Sequence, residues 1–267
     1  MPLFALLLLG CDAGEITSNA GSNASTAGST IDPNNASRRD TEDPQSLLTE
    51  PPPIKVWGDV VDFDVEIAVF ETVFWEPEDT TSLRRLIRES PLVKDKTILE
   101  IGAGSGLVSL CCLERGAERV VATDINRDAV ANARLNAVRL HLDEHFDVRQ
   151  VPLDNPSAYS VIGDDEQFDL IISNPPWEDD QPITIDQYAL YDRDFALLRS
   201  LLKDARRHLR PGGKILLAYG CVDAIRQVQR LGEQYDYEVR ILDDRQLDDL
   251  EPVFLPGMLL ELTPRSL

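Results

Sequence analysis

The tetrapeptide Asn174-Pro175-Pro176-Trp177 closes the apolar run 168–173, and its residue types suit one task, the gripping of a flat, nitrogen-bearing group. The Asn174 side chain offers a carbonyl acceptor, and the Pro175 carbonyl, held between prolines, offers a second. Trp177 adds a flat apolar wall. Two acceptors facing one planar amino group would take its two N–H hydrogens and leave the nitrogen lone pair pointing outward. The same oxygens would favour positive charge growing on that nitrogen. Neither a catalytic His nor a Cys is needed once the reacting partners are held in line.

A second constellation lies upstream. Leu99-Glu100-Ile101 runs into Gly102-Ala103-Gly104-Ser105-Gly106, a glycine loop that lets a ligand approach the backbone and that opens a helix whose first N–H groups are free. Asp124, followed by Ile125, ends the next strand and is placed to accept hydrogen bonds from a ribose diol. A dinucleotide loop carries GxGxxG, whereas this one reads GxGxG with the carboxylate of Glu100 just before it. That carboxylate would repel a pyrophosphate and attract a sulfonium bearing an ammonium group. The charge pattern therefore selects S-adenosylmethionine over NAD.

Both constellations need strand ends to hold them. Residues 97–101, 119–123, 146–151, 168–173, 214–219, 237–242 and 258–262 read as strands, interleaved with helices over 106–115, 127–140, 194–209 and 223–235, with Pro211-Gly212-Gly213 stopping the third. Such alternation predicts an α/β fold with an open, mostly parallel sheet covered on both faces, whose ligands sit at the carboxyl ends of the strands. Before it, residues 54–76 alternate apolar and polar residues and predict short strands with a hairpin through Gly58-Asp59. A helix to about Glu89 then starts with Thr81 or Ser82 as cap. The organisation expected is a leader over 1–53, an N-terminal module over 54–95 and the main domain over 96–267.

Composition narrows the acceptor. The chain of 267 residues carries 47 acidic against 26 basic side chains, a net charge of −21, and only seven of the acids lie in residues 1–53. A folded part this acidic disfavours phosphate polymers, which are held by clustered Lys and Arg, and points to a protein or small-molecule acceptor. Four cysteines without a CxxC pair, and His141, His145 and His208 without partners at ligand spacing, predict no metal site. Cys111 and Cys112 read as small buried residues of a helix, and Tyr188 and Tyr191 either line a cleft or pack a lid.

The start MPLFALLLLGC resembles a lipoprotein signal with Cys11 as the lipidated residue, but its apolar core is short, unflanked by basic residues and too brief to span a bilayer. Residues 12–53, rich in Ser, Asn, Gly and Pro, read as a disordered tether. Because S-adenosylmethionine is a cytosolic metabolite, the cytoplasm is the expected location, with membrane anchoring through Cys11 as the alternative.

Glu100 to Gly106, Asp124 and Asn174 to Trp177 together resemble the class I S-adenosylmethionine-dependent methyltransferases, in particular the small-domain group that includes protein-glutamine methyltransferases acting on release factors. The resemblance runs from Phe74 to Tyr219 and includes Phe74-Trp75-Glu76-Pro77. It implies a Rossmann-like, doubly wound, seven-stranded sheet with one antiparallel strand, in which role it puts 258–262. It implies that Glu100, Gly102, Ala103, Gly104 and Gly106 hold the methionine part, Asp124 the ribose, and Asp154, or else Asp164 or Asp165, the adenine amino group. A Tyr commonly stands at the position of Trp177 in that group, so the acceptor stays open between a protein amide and a nucleobase amino group. A non-catalytic module that keeps the fold as an interaction surface is the contrasting expectation.

Overall fold

The computed structural model describes residues 52–265; Cys11, the apolar start and nearly all of the expected leader lie outside them. Strands β1 (Ile54–Gly58) and β2 (Ile67–Phe70) pair antiparallel as a separate two-stranded ribbon. Helix α1 (Thr81–Glu89) follows, and then β3 (Thr97–Ile101), α2 (Leu107–Glu114), β4 (Arg119–Asp124), α3 (Arg127–Arg139) and β5 (Phe146–Gln150). The chain continues through β6 (Phe168–Ser173), α4 (Ala196–His208), β7 (Leu209–Cys221), α5 (Val222–Gln234), β8 (Tyr237–Ile241) and β9 (Val253–Pro264).

The seven later strands form one sheet in the order β5-β4-β3-β6-β7-β9-β8, parallel except for β9, which runs antiparallel to both β7 and β8. The antiparallel strand is the one expected. β3 is buried at all five positions because helices cover both of its faces. Alternation along the strands divides two cores: Ile98, Leu170, Ile172 and Leu216 pack with α1, α2 and the ribbon, while Leu99, Ile171, Ile215 and Leu217 pack with α4 and α5. From β3 the chain winds outward through β4 to β5, then returns to lay β6 on the other side of β3. The crevice between β3 and β6 is thus a topological switch point, the place where ligands of open α/β sheets bind.

Three local expectations are corrected. The ribbon does not turn at Gly58-Asp59: Gly58 pairs with Ile67 as the last residue of β1, and a longer loop joins the strands. Gly58 instead accommodates the Trp75 indole, which would lie 2.1 Å from a Cβ at that position. Neither Thr81 nor Ser82 caps α1: the cap position is Thr80, without a side-chain cap bond, and Ser82 Oγ donates to the Gly257 carbonyl at 2.9 Å. Pro211-Gly212-Gly213 does not separate helix from strand; β7 already begins at Leu209, opposite Phe168, and the register shifts before Lys214 pairs with Leu170.

The outer side of β2 is closed by two asparagines one turn apart on α3. Ala68 N donates to Asn136 Oδ1 at 2.9 Å and Phe70 N to Asn132 Oδ1 at 2.8 Å. Both side-chain amides donate back to the Ala68 carbonyl, at 2.7 and 2.9 Å. This satisfies an edge that would otherwise carry buried, unpaired backbone groups.

Candidate active site

Gly102, Gly104 and Gly106 take positive φ angles of 81, 53 and 84°. A Cβ at Gly102 or Gly104 would meet no atom within 4 Å, so the chain presents bare backbone to open space there. At Gly106 the requirement is different, because a Cβ would lie 3.0 Å from the Ala133 Cβ of α3. The N–H groups of the loop are occupied: Gly102 N and Ala103 N donate to the Thr123 carbonyl at 2.9 and 3.0 Å, and Gly106 N to the Ala103 carbonyl at 2.8 Å. Gly104 N donates to Asp124 Oδ2 at 2.8 Å. The free donors expected at the start of the helix do not include Gly106 N, nor Ser109 N, which donates to Glu100. A phosphate cradle turns such N–H groups toward its ligand; this loop turns them inward, which agrees with the charge pattern in disfavouring a pyrophosphate.

Glu100, only 2 % exposed, sits beneath the loop. Its Oε2 accepts hydrogen bonds from Ser109 N at 3.0 Å and from Ser109 Oγ. Burial pushes this carboxyl up to about 8 against those bonds, and the nearby Asp124 pushes the same way. Asp124 accepts from Gly104 N and, through Oδ1, from Asn126 N at 2.8 Å. Burial raises it to about 6 in spite of the backbone bonds from Gly104, Asn126 and Ile125. Both acids are penalised for their charge and lack a cation, so a positively charged ligand would favour their ionised forms.

Across the switch point, Ser173 Oγ donates to the Ile101 carbonyl at 2.6 Å and ties the end of β6 to β3. Asn174 follows, with its Oδ1 buried and without a hydrogen-bond partner. Pro175 and Pro176 are buried behind it. The half-buried Trp177 packs against Gly220, where a Cβ would lie 2.5 Å from the indole, so the wall it forms is seated on the end of β7.

Sequence reasoning missed the group that faces Asn174. Asp79, in the helical turn Pro77–Thr80, is 2 % exposed and its Oδ1 is likewise unpartnered. Burial raises its carboxyl to about 6, against a hydrogen bond with the Asn174 side chain and with help from the charge of Glu78. Glu76, on the same turn, is raised to about 7 by its hydrogen bond with Glu78, by burial, and by the charges of Glu78 and Asp79. Asp79 stands two residues after the Phe74-Trp75-Glu76-Pro77 segment, the one signal in its neighbourhood.

These groups line one cavity of about 330 Å³. Glu100, Gly102, Ala103, Gly104, Asp124, Ile125 and Asn174 through Trp177 all face it, together with Glu76, Asp79, Tyr188 and Tyr191. Gly106 is turned to α3 and does not line it. Asp154 is exposed and outside the lining, whereas Pro156, Ser157 and Ala158 belong to it. Asp164 pairs with Arg207 at 2.8 Å and Asp165 borders a small pocket with Arg119 and Arg210; neither reaches the site. Above the cavity, Glu178 N donates to the Leu190 carbonyl at 3.1 Å and Asp192 N to the Glu178 carbonyl at 2.8 Å, closing the loop that carries both tyrosines. Asp192 then caps α4 by accepting from Leu197 N and Leu198 N at 2.9 and 3.1 Å. Among the described residues no group of three or more His, Cys, Asp or Glu is arranged to hold a metal ion.

The family model described as "Methyltransferase small domain" matches residues 72–220, more than half of the chain. The chain belongs to that family. The part matched to the methyltransferase small domain contains the Asp79 turn, the glycine loop, Asp124 and Asn174 through Trp177. A relative from Shewanella oneidensis named release factor glutamine methyltransferase is 31% identical over 176 residues, which are 62% of this chain and 59% of that protein. One from Shewanella halifaxensis named tRNA1(Val) (adenine(37)-N6)-methyltransferase is 38% identical over 88 residues, covering 33% of this chain and 35% of its own. The chain thus spans less than two thirds of either relative. The fold is shared with the solved ribosomal protein L11 methylase of Lactobacillus delbrueckii subsp. bulgaricus, at a TM-score of 0.52 and 19% identity over 70% of this chain and 79% of that one.

Proposed function

We propose that this methyltransferase small-domain protein moves a methyl group from S-adenosylmethionine to a planar amide or amino nitrogen, with a protein side chain as the acceptor. When bound, S-adenosylmethionine supplies a methyl carbon activated by a positively charged sulfur. The observation that carries the reading is the unpartnered, buried Oδ1 of Asn174, a residue that lines the same cavity as the open glycines and the desolvated Glu100. That cavity suits the donor: its loop gives close access with the N–H groups of Gly102, Ala103, Gly104 and Gly106 already bonded within the protein, and Glu100 and Asp124 lack a cation.

Glu100 with Gly102, Ala103 and Gly104 holds the methionine part, while Asp124 and Ile125 hold the ribose. For adenine, the lining segment 156–158 is better placed than the exposed Asp154. Asn174 Oδ1 and the Pro175 carbonyl accept from the acceptor's amino group, and Trp177 forms the wall beside it. Residues 54–95 then form the N-terminal module that brings the Asp79 turn to the main domain over 96–267.

A protein acceptor is favoured by the charge at the opening, where Glu178, Asp179, Asp180 and Asp186 are exposed and would repel a phosphate backbone. The name of the Shewanella oneidensis relative supports the same choice. The local match to an adenine methyltransferase keeps a nucleobase amino group as the second reading. Among the described residues no helix is long and apolar enough to cross a membrane; we place the protein in the cytoplasm with its donor, anchoring through Cys11 being the alternative. Incubating the full chain with tritiated S-adenosylmethionine and a cell lysate tests the proposal. Label in a protein band, lost with Asn174→Ala, is the expected result. Label in RNA selects the second reading, and no label at all, with the donor unbound, overturns the enzyme.

A further inference from the structure

We propose that Asp79 is the base that removes the proton from the acceptor nitrogen as that nitrogen is methylated. The inference rests on the N-methyl transfer proposed above and adds a group to it. An amide nitrogen has its lone pair delocalised, and once methylated it becomes a strong acid, so the proton must have a destination within the site. In the balanced step the nitrogen forms its bond to the methyl carbon, the carbon–sulfur bond breaks with its electron pair left on sulfur, and of the two N–H protons the one shared with Asn174 Oδ1 passes to Asp79 Oδ1 while the other stays on nitrogen, hydrogen-bonded to the Pro175 carbonyl.

One buried, unpartnered carboxylate oxygen belongs to a residue that lines the cavity. Among the described buried side-chain atoms, those without a partner are Asp79 Oδ1, Ser160 Oγ, Asn174 Oδ1, Tyr219 Oη and Tyr237 Oη. Of these residues only Asp79 and Asn174 line the cavity. An amide oxygen can accept a hydrogen bond but does not keep a proton at neutral pH, so Asn174 orients and Asp79 deprotonates. Of the other acids lining the cavity, Glu100 is bonded to Ser109, Asp124 to backbone N–H groups, Glu76 to Glu78 and Asp192 to Leu197 N and Leu198 N, while Asp186 is exposed to solvent.

Asp79 is also held in place. Arg84 of α1 donates through Nη2 to the Pro77 carbonyl at 2.8 Å and through Nε to Thr80 Oγ1 at 3.2 Å, and it pairs with Asp62. From β9, Gly257 lets the Asp79 carbonyl approach, since a Cβ there would lie 2.6 Å from it. The charged groups around the carboxyl are Glu78 and Glu76 of its own turn and the Arg84 cation already engaged with Asp62; the residue that follows β6, Asn174, is neutral. A carboxyl raised to about 6 is ionised at neutral pH and is a stronger base than an exposed aspartate.

The test uses the full chain labelled with carboxyl-¹³C aspartate and saturated with S-adenosylhomocysteine, the Asp79 signal being identified by its loss in Asp79→Asn. Propionamide is the probe, a primary amide with two N–H groups. The titration midpoint of Asp79 should start near 6 and fall by about one pH unit as an N–H donates to the ionised form. Propionamide that moves the Trp177 indole signal while leaving the Asp79 midpoint unchanged overturns this inference alone. Propionamide that never binds overturns the amide acceptor proposed above and this inference with it. In single-turnover methyl transfer to a peptide with one internal glutamine, Asp79→Asn should lower the rate about a hundredfold and remove the acidic limb of the pH profile, with S-adenosylhomocysteine affinity within about twofold of wild type. A rate within about threefold of wild type would contradict the role. A peptide that the wild type leaves unmethylated overturns the amide reading as well.

Discussion

The two ends of the same sheet treat their acids in opposite ways. At the amino end, Arg149 reaches Asp147 at 2.7 Å and Glu166 at 2.6 Å, Arg119 reaches Asp147 at 2.9 Å, and Arg210 reaches Asp169 at 2.7 Å. The hydrogen bond from Arg149 holds Glu166 down to about 2. Asp147, against its burial, is also held below the usual carboxylate range by Arg149 and Arg119. At the carboxyl end Glu76, Asp79, Glu100 and Asp124 have no such cations and are raised to about 7, 6, 8 and 6. Paired acids on one side and unpaired acids on the other separate a scaffold from a binding site. The carboxyl end leaves its anions for a ligand that carries the positive charge.

The comparison can be broken or sharpened by substitution. The largest effect is expected from Asn174→Ala, which removes the unpartnered acceptor: methyl transfer should fall about a hundredfold or more while calorimetry shows donor affinity near that of wild type. Gly106→Ala comes next. Its Cβ would press on Ala133 at a φ of 84°, and chemical denaturation should show a loss of about 1–3 kcal/mol. Gly102→Ala meets no atom within 4 Å and should cost about 1–2 kcal/mol from its positive φ, yet weaken donor binding more than Gly106→Ala does.

A pH effect attaches to Glu100. Its folded value, about 8, lies above the ordinary 4.5, so the folded protein keeps a proton that the unfolded chain has released. Stability contributed by this group is therefore lost as pH rises from about 4.5 to 8, and melting of Glu100→Gln should be flatter over that window. The smallest effect belongs to the amino end. Arg149→Ala breaks partly exposed pairs with Asp147 and Glu166 and a hydrogen bond to the Val161 carbonyl, should cost about 1 kcal/mol at neutral pH, and should leave donor affinity within about twofold.

Much of this arrangement is legible along the chain because it depends on local pattern. The apolar run 168–173 ends where the sheet ends, so Asn174 emerges at its rim, and the strand before Gly102 places Glu100 and the loop on the neighbouring strand. Contacts between distant segments are not legible. Asp79 faces Asn174 across the switch point, and nothing near either residue announces the other. Asn132 and Asn136 look like solvent-facing positions of α3 but are fully buried as partners of β2. Glu100 reads as a ligand carboxylate, while its bonds to Ser109 show that it also fastens the start of α2 to β3. Asp154 illustrates the reverse: an acid at a suitable distance after β5 whose loop carries it out to solvent.

The most direct test of the account is calorimetric titration of the full chain with S-adenosylmethionine at pH 7, in two buffers of different ionisation enthalpy. The account predicts binding of one donor per chain with release of a proton, because the sulfonium and ammonium ionise Glu100, and loss of that release in Glu100→Gln. Absence of binding at millimolar ligand, or binding with no proton released, would contradict it.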